Sequence, residues 1–199
     1  MSGPLQVGIT GGIGSGKSLI CRIFGCLGIP LYDADSRAKA LMTTDRILVD
    51  QIKKEFGSLS YHANGVLNKV HLRKVFGNPT ELKKLNALVH PRVAHDYKIW
   101  VDKQKGSKYV MKEAALLIES GSARELDHLI VVSAPEHLRI QRVLKRDPHR
   151  NLIEIKNIIE SQLAEKEKVA QADDVIINDE SQLVIPQVLE LHERLNSMN

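Results

Sequence analysis

The sequence predicts an α/β protein in which short parallel strands alternate with helices around one all-helical insertion, and three observations predict it. Residues 6–24 read QVGITGGIGSGKSLICRIF: an apolar run, a glycine-rich loop, then a helix-period stripe. Four further short apolar runs, at 29–32, 109–111, 129–132 and 175–177, are separated by helical patterns. Between the second and third of these runs, about 65 residues carry no strand signal, too many for a simple crossover and therefore an inserted subdomain.

The first element sets the chemistry. Gly11, Gly16, Lys17 and Ser18 fill the fixed places of GxxxxGKS. Such a loop cradles a polyphosphate, because its backbone N–H groups must turn inward and a Cβ would obstruct both the turn and the close approach. Lys17 would reach the β- and γ-phosphates, and the Ser18 hydroxyl would ligate magnesium. Val7 and Ile9 form the strand that enters the loop, and Leu19, Ile20, Ile23, Phe24 and Leu27 form the helix that leaves it, with the positive end of its dipole facing the phosphates. A dinucleotide-binding turn would also want an acid near Asp33, but no GxGxxG register fits and the Lys17-Ser18 pair has no role there.

Composition narrows the classes. With 199 residues, 43% hydrophobic and 26% charged, the chain is a globular domain able to bury a full core without metals or disulfides. No apolar run approaches membrane-spanning length, and the N-terminus enters the first strand without a signal-peptide pattern, so a cytoplasmic location is expected and no membrane partner. Cys21 and Cys26, five apart on the first helix, read as reduced packing residues. A net charge of +4 with only 4% aromatic residues suits phosphorylated small molecules and gives no base-stacking surface for nucleic acid.

Taken in order, the first helix should end at Gly28 in a left-handed cap. Asp33 and Asp35 fall just past the second strand, at the edge where ligands gather in a parallel sheet. One of these carboxylates could accept a proton from an acceptor alcohol, while Asp35 or Ser36 is also placed to cap the next helix. In the helical block Asn64-Gly65 marks a turn, Thr80 after Pro79 an N-cap, and His90-Pro91 a break between two helices. The third strand leads to Glu113 and Glu119, and the fourth, 129–132, leads to a helix start at Pro135-Glu136. Arg139, Arg142, Lys145, Arg146 and Arg150 then crowd one helix and turn with a single acid, Asp147, among them, as a phosphate-facing lid would. Arg142 and Arg146 are four apart and share a face, whereas Arg139 and Arg150 are expected to matter less. Asn178 ends the last strand on the ligand side. The eight histidines show no metal-ligand spacing, and His90 alone draws attention.

These residues together resemble the dephospho-CoA kinase family over nearly the whole length. The matches are GITGGIGSGKS at 8–18, Asp33-Ala34-Asp35, NALVHPRV at 86–93, LLIESG from Leu116, QRVLKRD at 141–147, Gln162, Lys168 and ADDVIIN at 172–178. The resemblance implies a P-loop kinase fold with a five-stranded parallel sheet: a core of 1–36 and 107–199, a helical CoA-binding insertion of 37–106, and a lid of about 138–168. It implies transfer of phosphate from ATP to the ribose 3′-hydroxyl of dephospho-CoA, with magnesium, in the last step of coenzyme A biosynthesis. ATP would lie on Gly11, Gly12, Ile13, Gly14, Ser15, Gly16, Lys17 and Ser18, with Asn178 at the adenine pocket. Asp33 would be the base, Lys17, Arg142 and Arg146 its catalytic partners, Ser18 the metal residue, and Asp33, Asp35, His90 and Arg92 the acceptor's contacts.

Two positions depart from the family pattern. Glu113-Ala114-Ala115 stands where the family usually has Asp-x-Pro before Leu116-Leu117, so no role is carried onto Glu113. Lys69 replaces the usual arginine after the Asn-Gly turn. A nucleoside or nucleotide kinase would use the same loop, carboxylate and lid. A nucleotide-dependent switch would also use the loop, although SAPEH stands where a guanine-reading NKxD would follow the fourth strand. The sequence sets no oligomeric state.

Overall fold

The computed structural model describes residues 3–198, the side chain of Phe76 excepted. Five strands, β1 (Leu5–Thr10), β2 (Leu31–Asp33), β3 (Tyr109–Glu113), β4 (His128–Ser133) and β5 (Asp174–Ile177), form one sheet in the order β2-β3-β1-β4-β5. Every pairing is parallel, so all five carboxyl ends share an edge. β1 lies in the middle. The alternation of its side chains decides how the two faces are covered. Val7 and Ile9 point to the face where α1 (Lys17–Cys26) and α9 (Val184–Ser197) pack, burying Ile20, Cys21, Phe24, Val188, Leu191 and Leu195 against Tyr109, Met111 and Ile130. Gly8 points the other way, where Leu117, Leu126 and Leu129 occupy the space a side chain would need.

The chain divides into two compact units, one comprising the segments up to Asp33 and from Gln104 onward, the other Ala34–Lys103. The first unit also carries α6 (Glu136–Arg146), α7 (Leu152–Ser161) and α8 (Glu165–Val169). Gly28, with φ of 83°, follows α1 in the left-handed conformation expected of it. Cys21 is buried, but Cys26 is exposed and packs nothing, because the helix turns position 26 outward as it ends.

The second unit is built from α2 (Ala34–Thr44), α3 (Arg46–Phe56), α4 (Lys69–Phe76) and α5 (Pro79–Asp102). Several sequence expectations are corrected here. α2 starts at Ala34 directly after β2, so Asp35 and Ser36 lie inside its first turn rather than capping it. The cap of α5 is Asn78, whose side-chain oxygen accepts from the Thr80 and Glu81 N–H groups, with Pro79 at the first helical position, where a missing N–H costs nothing. Pro91 does not end a helix. α5 continues through it, because the buried stripe Leu85, Val89, Val93, Tyr97, Val101 runs on without interruption while Pro91 itself faces solvent. A single antiparallel bridge, Tyr61 to Leu67, closes the turn at Asn64-Gly65.

Candidate active site

The loop between β1 and α1 is shaped by positive φ angles that glycine adopts freely, 78° at Gly14 and 97° at Gly16. At Gly16 a Cβ would also overlap the amide nitrogen of Asn178. Within the loop the Ser15 N–H donates to the Gly12 carbonyl, and Gly16 supplies the carbonyl that receives Leu19 and Ile20. Among the described residues, the N–H groups of Gly14, Gly16, Lys17 and Ser18 find no partner within the chain. Four open donors at the start of α1, with the helix dipole behind them, make an anion cradle suited to polyphosphate.

Two segments far along the chain brace this loop. Asn178, directly after β5, donates from its side-chain amide to the Ser15 carbonyl at 2.8 Å, and its own N–H donates to the Ser133 carbonyl at 2.8 Å. Gln162 accepts from the Ile13 N–H at 2.9 Å. Asn178 thus spends its side-chain amide on the loop. Its neighbours Ile177 and Asp179 are the ones that line a cleft of about 590 Å³, together with Pro135, Arg139 and Leu163. The apolar part of that cleft suits a planar base beside the cradle.

At the carboxyl edge of the sheet three oxygen-bearing side chains gather. Glu113 ends β3 and pairs in register with Ile9 of β1 and with Asp33 of β2, so Asp33 and Glu113 stand side by side. The Ser18 hydroxyl donates to Glu113 Oε1 at 3.2 Å. Behind them the Cys21 thiol is pushed far above its ordinary range, first by burial and then by the neighbouring Glu113 carboxylate. Asp33 is exposed. A hydroxyl and a carboxylate at this distance are hard oxygen donors of the kind magnesium takes. Magnesium uses one or two protein ligands and completes its shell with water and phosphate. Among the described residues, no group of three or more His, Cys, Asp or Glu side chains is arranged to hold a metal unaided. The lengthened acid at 113, to which the sequence assigned no role, therefore stands within hydrogen-bond reach of Ser18.

The predicted lid cations part company. Arg142 donates to the Asn178 carbonyl at 3.0 Å and to Glu180 at 3.1 Å. Arg146 pairs with its neighbour Asp147 and is 62% exposed. Arg139 is the one that reaches the loop, lying over Gly12 with its side chain 7% exposed. Glu165, from α8, is its nearest acid. Lys168, also on α8 and 1% exposed, stands 2.9 Å from Glu119, whose Oε1 also accepts from the Leu163 N–H. Sequence reasoning ranked Arg139 below its neighbours and gave Glu119 no role. The signal was available for Arg139, which precedes the buried Val143 by four residues and so occupies a core position of α6.

The remaining candidates belong to the helical unit. Asp35 is exposed in the first turn of α2, and His90 is exposed on α5. Arg92 donates from Nε to Asp45 Oδ2 at 2.8 Å, and Asp45 in turn caps α3 by accepting from the Leu48 N–H at 3.0 Å. Burial works against the charge on Asp45, but the Leu48 N–H and Arg92 outweigh it and hold the carboxyl below its usual value.

Comparison with known proteins adds an independent line. Residues 5–183 match the family model described as dephospho-CoA kinase. A dephospho-CoA kinase of Bacteroides fragilis is 36% identical over 188 residues, covering 94% of this chain and 91% of its own length. One from Methylococcus capsulatus is 38% identical over 175 residues, with 87% of each chain covered. A crystal structure of a Thermus thermophilus protein superposes with a TM-score of 0.83 at 28% identity, over 97% of this chain and 98% of that one. A parallel five-stranded sheet, a GxxxxGKS loop with open donors and a match over nearly the full length agree, and the chain belongs to the dephospho-CoA kinase family.

Proposed function

We propose that the chain transfers the γ-phosphoryl group of ATP to the ribose 3′-hydroxyl of dephospho-CoA, giving CoA and ADP. The observation that carries this reading is the convergence at one sheet edge of the open N–H cradle, Lys17, the Ser18–Glu113 pair and Asp33. Transfer of this kind needs little covalent chemistry from the protein, and positioning with charge stabilisation does most of it.

In this proposal the cradle of residues 11–18 holds the β- and γ-phosphates, and Lys17 follows the transferring group. Asp33 accepts the 3′-hydroxyl proton. Its place at the end of β2, next to Glu113, supports that role. Ser18 and Glu113 would hold magnesium, which when bound neutralises charge on the phosphate oxygens. Arg142 and Arg146 turn from their present acids towards the equatorial oxygens when the lid of residues 138–168 closes. Asp35, His90 and Arg92 hold the acceptor from the helical unit, whose role is substrate binding. The substrates are water-soluble, and among the described residues no helix is long and apolar enough to cross a membrane, in keeping with a cytoplasmic site of action.

Purified protein offered ATP with dephospho-CoA, AMP, CMP or uridine tests the reading. Turnover is expected with dephospho-CoA alone. Preference for a nucleotide or nucleoside acceptor would replace it with the broader kinase reading.

A further inference from the structure

Gly12 differs from the other glycines of the loop. Gly11, Gly14 and Gly16 have φ angles of 155°, 78° and 97°, whereas Gly12 is not among the residues of positive φ and its backbone is open to any side chain. What a Cβ at position 12 would meet is the end of one side chain, which would have to leave its place over the loop. A Cβ built there would overlap Arg139 Nη1 and stand 3.0 Å from its Cζ, and the next atom, Gln162 Oε1, is at an ordinary contact distance of 3.5 Å. The α6 backbone presses on the loop as well, with Arg139 Cα 2.9 Å from the place of a Cβ on Gly14.

The guanidinium is held there with its charge incompletely matched. Its nearest acid, Glu165, is 3.7 Å from Nη1, beyond hydrogen-bond distance. Arg139 Nε and Glu165 Oε1 are both buried with no hydrogen-bond partner. A buried cation so poorly compensated is costly unless another anion completes its surroundings. The cradle directly beneath is where that anion would sit.

We propose that Arg139 is a positioning residue for ATP. It holds the first half of the phosphate loop through the space left by Gly12, and the glycine at 12 is required because of Arg139 rather than because of the phosphates. The proposal rests on the reading of the loop as an ATP cradle and adds a pairwise dependence between two residues 127 positions apart in sequence. Gln162 belongs to the same arrangement, since it fixes the next N–H, that of Ile13.

A double-mutant cycle on the full chain tests it, with ATP affinity read by calorimetry in magnesium without acceptor, and steady-state kinetics read with dephospho-CoA. Thermal melts confirm that each variant is folded. If the wild-type chain binds no ATP, the cradle reading itself fails. Given wild-type binding, Arg139→Ala is expected to weaken ATP affinity and raise KM for ATP by about tenfold or more, with KM for dephospho-CoA unchanged. Arg139→Lys recovers part of that loss. Gly12→Ala alone weakens ATP binding at least as much, but when added to Arg139→Ala it costs nothing further, because the obstacle is gone. Losses that multiply in the double variant would mean that Gly12 serves the phosphates directly, and the proposal would be wrong. Unchanged ATP affinity in Arg139→Ala would overturn it equally.

Discussion

In the proposed mechanism Asp33 and Lys17 carry different halves of the reaction, and substitution should separate them. Asp33→Asn is nearly isosteric yet cannot take up the hydroxyl proton, so both substrates should still bind while turnover fails. Near-normal turnover would remove Asp33 from the role of base. Lys17→Ala removes the charge that follows the transferring phosphoryl group, and turnover should collapse while circular dichroism stays unchanged. In the same proposal the lid arginines act at another moment. Arg142→Ala and Arg146→Ala should each lower turnover by on the order of 10²-fold with a smaller effect on ATP affinity, since charge spread over the equatorial oxygens favours such contacts in the transition state. Equal, mild losses at Arg142, Arg146 and Arg150 would reduce the run to a solvated basic face. At this scale the loop residues were legible in the sequence because their spacing encodes backbone geometry. The divergence of Arg139 from Arg142 and Arg146 could be read only from its spacing to Val143, because charge identity alone says nothing about which way a helix face turns.

At the scale of the element, an ion pair between Arg92 of α5 and Asp45 at the start of α3 is also a helix cap. Asp45 accepts from the Leu48 N–H and from Arg92, and its carboxyl is held below its usual value, so the stability it contributes is present above the ordinary carboxylate range near pH 4. That contribution is lost as the pH falls through the lowered native value. Arg92→Met leaves the carboxylate facing an apolar stem and should cost about 2 kcal/mol at neutral pH. Chemical denaturation of wild type and variant across pH 7 to 3 checks it, because the gap should narrow once Asp45 is protonated. A gap that stays constant would show that the pair adds little beyond packing. This element also marks where sequence reading stops. Asn78 and Thr80 are both good caps by type, and the structure has Asn78 accepting from the Thr80 and Glu81 N–H groups. Pro91 signals a break by local chemistry, yet a proline on the solvent side removes a hydrogen bond without disturbing the packed face.

For the whole molecule, the existence of five strands could be read from short apolar runs, and their parallel arrangement from the helices between them. Their order could not, since alternation along a strand identifies its faces and not its neighbours. The order found places β1 at the centre, flanked by β3 and β4, with β5 at the edge beside β4. The loop that follows β1 is finished from even further away: Ile13 is fixed by Gln162 and Ser15 by Asn178, partners separated by 149 and 163 residues. During synthesis the ligand cradle therefore leaves the ribosome well before the residues that give it its form. Contacts of such sequence separation close slowly, and until they do the glycines are free to wander. Ribosome-arrested chains that have not yet exposed residue 178 should retain no ATP, while chains released at full length should. Retention by the shorter arrests would show that the loop holds its shape alone. If it does not, the nascent enzyme is kept from binding ATP before it can use it.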